Sequence, residues 1–117
     1  MIFGIGTDLC SVQRLTESLR RTEGLAERLF HPNELELSNQ SLAARFAAKE
    51  ALAKAIGDPK LLSWSEIEIV KDGLGNPSLQ LHGQTAVNIA QLGDLWLHLS
   101  LTHDAQLAQA FVVVESN

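Results

Sequence analysis

The sequence predicts an α+β fold in which a long central helix packs on an antiparallel sheet. Three observations carry this prediction. Residues 2–8 alternate glycine with apolar side chains, residues 39–56 form an alanine-rich run with helical spacing, and the last third holds short alternating segments between turn residues. No internal repeat, low-complexity tract or linker divides the chain, so residues 1–117 read as one small domain.

The opening segment Ile2-Phe3-Gly4-Ile5-Gly6-Thr7-Asp8 reads as a strand, with Gly4, Gly6 and Asp8 on one face and Phe3, Ile5 and Thr7 on the other. The glycine face has no bulk, which invites close approach by a helix and leaves Asp8 at its open end. Ser11 fits the cap of a helix carrying Val12, Leu15 and Leu19 at helical spacing, and Gly24 interrupts it. A short helix over 25–30 follows, then another that opens at Pro32, which fits its first position. The run from Asn39 to Ile56 has Ser38 or Ser41 as cap and Gly57-Asp58-Pro59 as stop, with a stripe of Leu42, Phe46, Ala53 and Ile56. Its alanines would let it lie close on the glycine face. Residues 65–71 and 78–81 alternate about the turn Asp72–Pro77 and read as a hairpin. A helix over 83–92 and closing strands over 95–102 and 107–115, joined through His103-Asp104-Ala105-Gln106, complete the reading. Trp64 and Trp96 are assigned to packing.

Composition narrows the function classes. A chain of 117 residues with a net charge of −5 and pI near 5.2 is no coat for nucleic acid. Its apolar runs are too short to span a bilayer, the first residues lack the pattern of a signal peptide, and Cys10 is the only cysteine. The expectation is a cytoplasmic protein with neither membrane nor nucleic-acid partners. Against the acidic background, Arg14, Arg20, Arg21 and Arg28 fall within fifteen residues. They are either a solvated helix face or a docking surface for an acidic partner. A domain this small builds an enclosed site more easily from several copies, so oligomerisation is expected.

Glu50 and Lys54 share one face of the central helix, one turn apart. A plain ion pair is one reading. The other follows from their setting at the edge of the apolar stripe, where a half-buried carboxylate needs a partner. With the helix on the first strand, Asp8 and Glu50 would converge as two carboxylates without a His/Cys cluster, a set suited to Mg²⁺ together with substrate phosphates.

The motifs themselves resemble a known family. Ile5-Gly6-Thr7-Asp8 resembles the first signature of holo-acyl-carrier-protein synthases, and Arg45-Phe46-Ala47-Ala48-Lys49-Glu50-Ala51-Leu52-Ala53-Lys54-Ala55 resembles the second. Similarity extends to Arg28-Leu29-Phe30 with Glu34, to Asp72-Gly73 and Asn76-Pro77, and to Leu99-Ser100-Leu101-Thr102-His103. Between Glu36 and Leu42 the chain is shorter than is usual in the family.

The resemblance implies the 4′-phosphopantetheinyl transferase fold, a homotrimer with sites between subunits, and Mg²⁺-dependent transfer of phosphopantetheine from coenzyme A to a serine of acyl carrier protein, free or as a carrier domain, in support of fatty acid biosynthesis. By that resemblance Asp8 and Glu50 ligate Mg²⁺, which acts as a Lewis acid on the pyrophosphate, and Lys54 steadies the leaving bisphosphate. The serine proton goes to Glu50 or to a metal-bound water near Asp8. Arg45, Lys49 and His103 are candidates for further phosphate contacts, and Arg14, Arg20, Arg21 and Arg28 for docking the acidic carrier helix, Arg14 foremost. Cys10 is a packing residue, and His31, His82 and His98 gain no role. Two other readings use the same residues: a different Mg²⁺-dependent phosphoryl or nucleotidyl transferase, against which stands the absence of a Walker-type loop, and a non-catalytic module that binds an acidic protein.

Overall fold

In the computed structural model, which describes residues 1–117, the main elements are β1 (Ile2–Ser11), α1 (Val12–Arg21), α2 (Leu25–Leu29), α3 (Asn39–Ile56), β2 (Ile67–Lys71), β3 (Pro77–Leu81), α4 (Gly83–Ala90), β4 (Leu95–Asp104) and β5 (Leu107–Ser116). Single 3-10 turns occupy Pro32–Glu34, Pro59–Leu61 and Trp64–Glu66. The α+β class stands, and the strands divide into two antiparallel sheets. One has the order β1-β5-β4; the other is the β2–β3 hairpin.

β1 continues past Asp8 to Ser11 because Leu9 and Cys10 prolong the alternation and pair with Gln109 and Ala108 of β5. Gly4, Gly6, Asp8 and Cys10 turn inward, while Phe3, Ile5, Thr7 and Leu9 are exposed. The inward face lies on α3 so closely that a Cβ added at Gly6 would overlap the Ala51 carbonyl oxygen, and one at Gly4 that of Ala55. The helix has the expected bounds. Ser38, not Ser41, caps it, with its Oγ accepting the Ser41 N–H at 3.2 Å, and Gly57 ends it at φ +87°.

As expected, alanines of the helix lie on the glycine face of the strand, but Leu42, Phe46, Ala53 and Ile56 do not form one buried stripe. Leu42 and Ile56 are buried, but Phe46 and Ala53 are only half-buried, and 11 of the 18 residues of α3 are buried, Arg45 and Lys49 among them. A helix enclosed on nearly all sides has no single apolar face for the sequence to display. The face against β1 is the alanine ridge that includes Ala51 and Ala55. Val112 and Val114 of β5, with Leu52, Phe30 and Ile67, fill the space around it.

Ser11 caps α1 through the Arg14 N–H at 3.2 Å, and Gly24, at φ +80°, separates α1 from α2. The hairpin turn is organised by Asp72, whose carboxylate accepts the N–H groups of Asn76 at 2.9 Å and Leu74 at 2.8 Å; these bonds hold its pKa below the usual range. The β4–β5 connection is tighter than expected. Pairing runs out to Asp104 and Leu107, leaving only Ala105 and Gln106, both at positive φ, to turn the chain. Trp64 is half-buried against the core, whereas Trp96 stands exposed on the outward face of β4.

Gly6→Ala should cost about 2–3 kcal/mol or more, because relief of the overlap requires α3 to shift from β1 as a body. Urea unfolding measures it, and an unchanged midpoint would contradict the close approach.

Candidate active site

The inward face of β1 presents Asp8 to α3, and Lys54 of α3 leans back over it. Lys54 Nζ lies 3.0 Å from Asp8 Oδ1 and donates to the Thr7 carbonyl at 2.9 Å. The helix therefore does not close a plain Glu50–Lys54 ion pair; the lysine bridges to the strand instead. Glu50, one turn earlier and half-buried, senses the same charges. Burial raises its pKa, the Asp8 carboxylate raises it further, and Lys54 and the Trp64 side chain oppose them.

Cys10, two residues along the same face, is pushed up to about 11 by burial and then by Asp8 and Glu50, so its thiol stays protonated at neutral pH. The cluster therefore offers carboxylate oxygens and no thiolate. Two carboxylates that repel each other, beside one lysine, fit a hard divalent cation with oxygen coordination.

Cys10 also links this cluster to a groove of about 710 Å³ walled by Leu9, Arg14, Leu15, Ser18, Leu29 and Phe46. Among the four arginines singled out by the sequence, all exposed and none in an ion pair, Arg14 alone borders it. Arg20, Arg21 and Arg28 extend the positive surface along α1 and α2. On the opposite side, Lys54 lines a shallower recess of about 260 Å³ with Ile5, Gly6, Thr7 and Phe111.

His103 does not join the cluster within one chain. It shares a rung with Ala108 and Cys10, which puts two strand spacings, about 10 Å, between its backbone and β1. Its ring is exposed, with Nδ1 2.8 Å from Gln40 Nε2.

The expectation that Lys49 contacts phosphate is corrected by its surroundings. Lys49 is fully buried and spends its three protons on the carbonyls of Leu29 (2.8 Å) and Trp64 (3.0 Å) and on Glu34 Oε1 (2.6 Å), above the Phe30 ring. No donor is left for a ligand. Burial lowers its pKa, with the Glu34 carboxylate opposing. Arg45 leans on the same acid, Nε to Oε2 at 3.8 Å, and Nη1 reaches the Ser41 carbonyl at 3.4 Å, but its buried Nε has no hydrogen-bond partner. Of the two cations, Arg45 is the less completely paired, though its Nε faces Glu34 and not solvent.

Glu34, to which the sequence assigned no role, is the buried acid that both cations share. It is 1% exposed, and it also accepts the N–H of His31 (2.9 Å) and of Ile69 (3.0 Å). The signal available was the acid following Arg28-Leu29-Phe30, but nothing local identifies a cation fifteen residues away as its partner.

Lys49→Ala should cost about 3–5 kcal/mol by stranding the Glu34 carboxylate in the core. Denaturant unfolding checks this, and a variant of unchanged stability with weakened ligand binding would restore Lys49 to the site.

Comparison with known proteins agrees with these motifs. Residues 4–110 match the model of the 4′-phosphopantetheinyl transferase superfamily. The chain is 53% identical, over 115 residues, to a holo-[acyl-carrier-protein] synthase from Clavibacter sepedonicus, covering 98% of this chain and 97% of the relative. Among solved structures it resembles the holo-[acyl-carrier-protein] synthase of Neisseria meningitidis, with 34% identity, a TM-score of 0.89, and 99% and 100% of the two chains covered. It also resembles the ACPS–CoA complex of Chronobacterium ammoniagenes, with 30% identity, a TM-score of 0.85 and 97% of each chain covered.

Proposed function

The chain belongs to the 4′-phosphopantetheinyl transferase superfamily, and from that membership and its site we propose that it acts as a holo-acyl-carrier-protein synthase. The serine hydroxyl of an apo acyl carrier protein, free or as a carrier domain, attacks the pantetheine-side phosphorus of the coenzyme A pyrophosphate. A new serine–phosphate ester forms, the pyrophosphate bridge breaks, and adenosine 3′,5′-bisphosphate leaves. The observation that carries this reading is the meeting of Asp8, Glu50 and Lys54 where β1 touches α3, at the head of a groove bordered by Arg14.

Each side chain has a task that suits its surroundings. Asp8 and Glu50 would hold Mg²⁺, which when bound withdraws charge from the pyrophosphate. Lys54, already oriented by Asp8 and the Thr7 carbonyl, is placed to offset charge on the departing phosphate. Either Glu50 or a water held near Asp8 would take the serine proton. Arg45 and His103 are the further cations that would serve the remaining phosphate charge of coenzyme A.

His103 reaches such a ligand from a neighbouring subunit. The outward face of the β1-β5-β4 sheet exposes Phe3, Ile5, Leu9, Phe111 and Trp96, a contiguous apolar surface that supports assembly into a homotrimer with its sites between subunits. No helix is long and apolar enough to cross a membrane. The enzyme works in the cytoplasm and supplies holo carrier protein for fatty acid biosynthesis.

Incubation with apo carrier protein, coenzyme A and Mg²⁺ should add one phosphopantetheine to the carrier by mass spectrometry, and Asp8→Ala or Glu50→Ala should reduce the rate by about a thousandfold or more with the fold intact. An unmodified carrier defeats the assignment; Mg²⁺-dependent transfer by both variants defeats the ligand pair. Arg14→Glu should raise KM for the carrier about tenfold at low salt, leave kcat nearly unchanged, and lose most of that difference at high salt. Steady-state kinetics across ionic strength test this, and equal salt dependence in the two proteins removes Arg14 from the docking surface.

A further inference from the structure

Away from the carboxylate pair, three donors with no task in transfer meet where the Pro32–Glu34 turn adjoins the small sheet. His82 Nε2 lies 2.9 Å from Glu68 Oε1, and His31 Nδ1 lies 3.8 Å from that same oxygen. One ligand atom from each of the three residues lies within 4.8 Å of the others. The two imidazoles stack, with centroids 4.6 Å apart and planes inclined by 27°.

Each donor is held by its own element. His31 caps the turn, where its Nδ1 accepts the Asn33 N–H at 3.1 Å and its own N–H donates to Glu34 Oε1. Glu68 is buried on β2, and its Oε2 takes the Asn33 side-chain amide at 3.1 Å, leaving Oε1 to the histidines. His82 follows β3, fixed by its N–H to the Glu66 carbonyl at 2.8 Å, and its side chain is 40% exposed, which gives a path from solvent.

A hydrogen bond between His82 and Glu68 accounts for one of these contacts and leaves another unexplained. His31 Nδ1, because it accepts from Asn33, carries a lone pair, yet it stands beside a carboxylate oxygen that is also an acceptor. The Nδ1 lone pair and the carboxylate oxygen have no proton to share, and a cation bound between them would take the place of the Asn33 N–H at Nδ1. Two imidazoles and one carboxylate form a ligand set that zinc uses with a fourth position left to solvent, and the Asn33 amide on Glu68 supplies the outer-shell support such ligands need. In tetrahedral zinc coordination the ligand atoms stand about 3.4 Å apart, so the 4.8 Å limit requires a little over ~1 Å of side-chain rotation.

We propose that His31, Glu68 and His82 form a zinc-class divalent metal site, separate from the Asp8–Glu50 pair, that ties the Pro32–Glu34 turn to the β2–β3 hairpin. Nitrogen donors separate its preference from that of the all-oxygen pair, which takes magnesium. Because the ligands come from distant parts of the chain, the ion acts on stability and not on the chemical step.

The test titrates chelator-treated full-length protein with Zn²⁺ by calorimetry, and with Co²⁺ by visible absorption, in excess Mg²⁺ so that the carboxylate pair is occupied. One ion should bind per chain and raise the thermal midpoint. His82→Gln should weaken that binding about tenfold or more and abolish the thermal shift while leaving phosphopantetheine transfer unchanged. His31→Asn, which keeps an acceptor for the Asn33 N–H, should do the same; Asp8→Asn should change nothing. Absence of saturable zinc binding, binding that survives both histidine substitutions, or binding that disappears with Asp8→Asn overturns the proposal.

Discussion

The structure depends on the contact between two bare backbones, Gly4 and Gly6 of β1 against the carbonyls of Ala51 and Ala55 in α3. No side chain intervenes, so the spacing of strand and helix is set by main-chain atoms, which are the least adjustable parts of a protein. Asp8 lies on the same face as those glycines, and Glu50 and Lys54 flank the alanine at position 51. The acidic pair and its lysine therefore inherit their separation from the backbone. A salt contact of 3.0 Å across two elements follows from that closeness.

Drawing α3 so deep has an electrostatic consequence. The turns that carry Glu50 and Lys54 also carry Arg45 and Lys49, and burial strips both of water. Their charges are stable there only because Glu34 is buried with them, and Glu34 in turn needs the N–H groups of His31 and Ile69 to complete its coordination. One carboxylate thus joins the helix, the Pro32–Glu34 turn and the small sheet. Such a network adds little net stability over an apolar core of the same shape, but it admits very few arrangements of its parts.

The elements of the fold were legible in the sequence because their signals are local. Alternation marked β1, Ser11 and Gly57 marked helix ends, and Asp72 through Pro77 marked a turn. The helix over Asn39–Ile56 was readable from its caps, and its alanines marked the close approach to the glycines of β1, but burial of 11 of its 18 residues erases the periodicity on which the stripe through Phe46 and Ala53 relied. At the site, the likeness of two short motifs brought Asp8, Glu50 and Lys54 to notice, and the structure brings them together. Lys49 shows the opposite case. Its position within the motif resembles that of a ligand contact, while its true partners, Leu29, Glu34 and Trp64, lie fifteen to twenty residues distant and are joined to it only by folding. His31, Glu68 and His82 were invisible as a group for the same reason.

The division of the strands into two sheets shapes how the molecule is held together. The strands of β1-β5-β4 are joined by ladders with one register shift between Ile2 and Gly4, whereas the β2–β3 hairpin lies beside β4 without joining it and is held by Ile67 and Ile69 in the core and by the Glu34–Lys49 network. The hairpin is thus joined to the three-stranded sheet by side chains and not by a ladder, and its own main-chain pairing is independent of the sheet that carries Asp8.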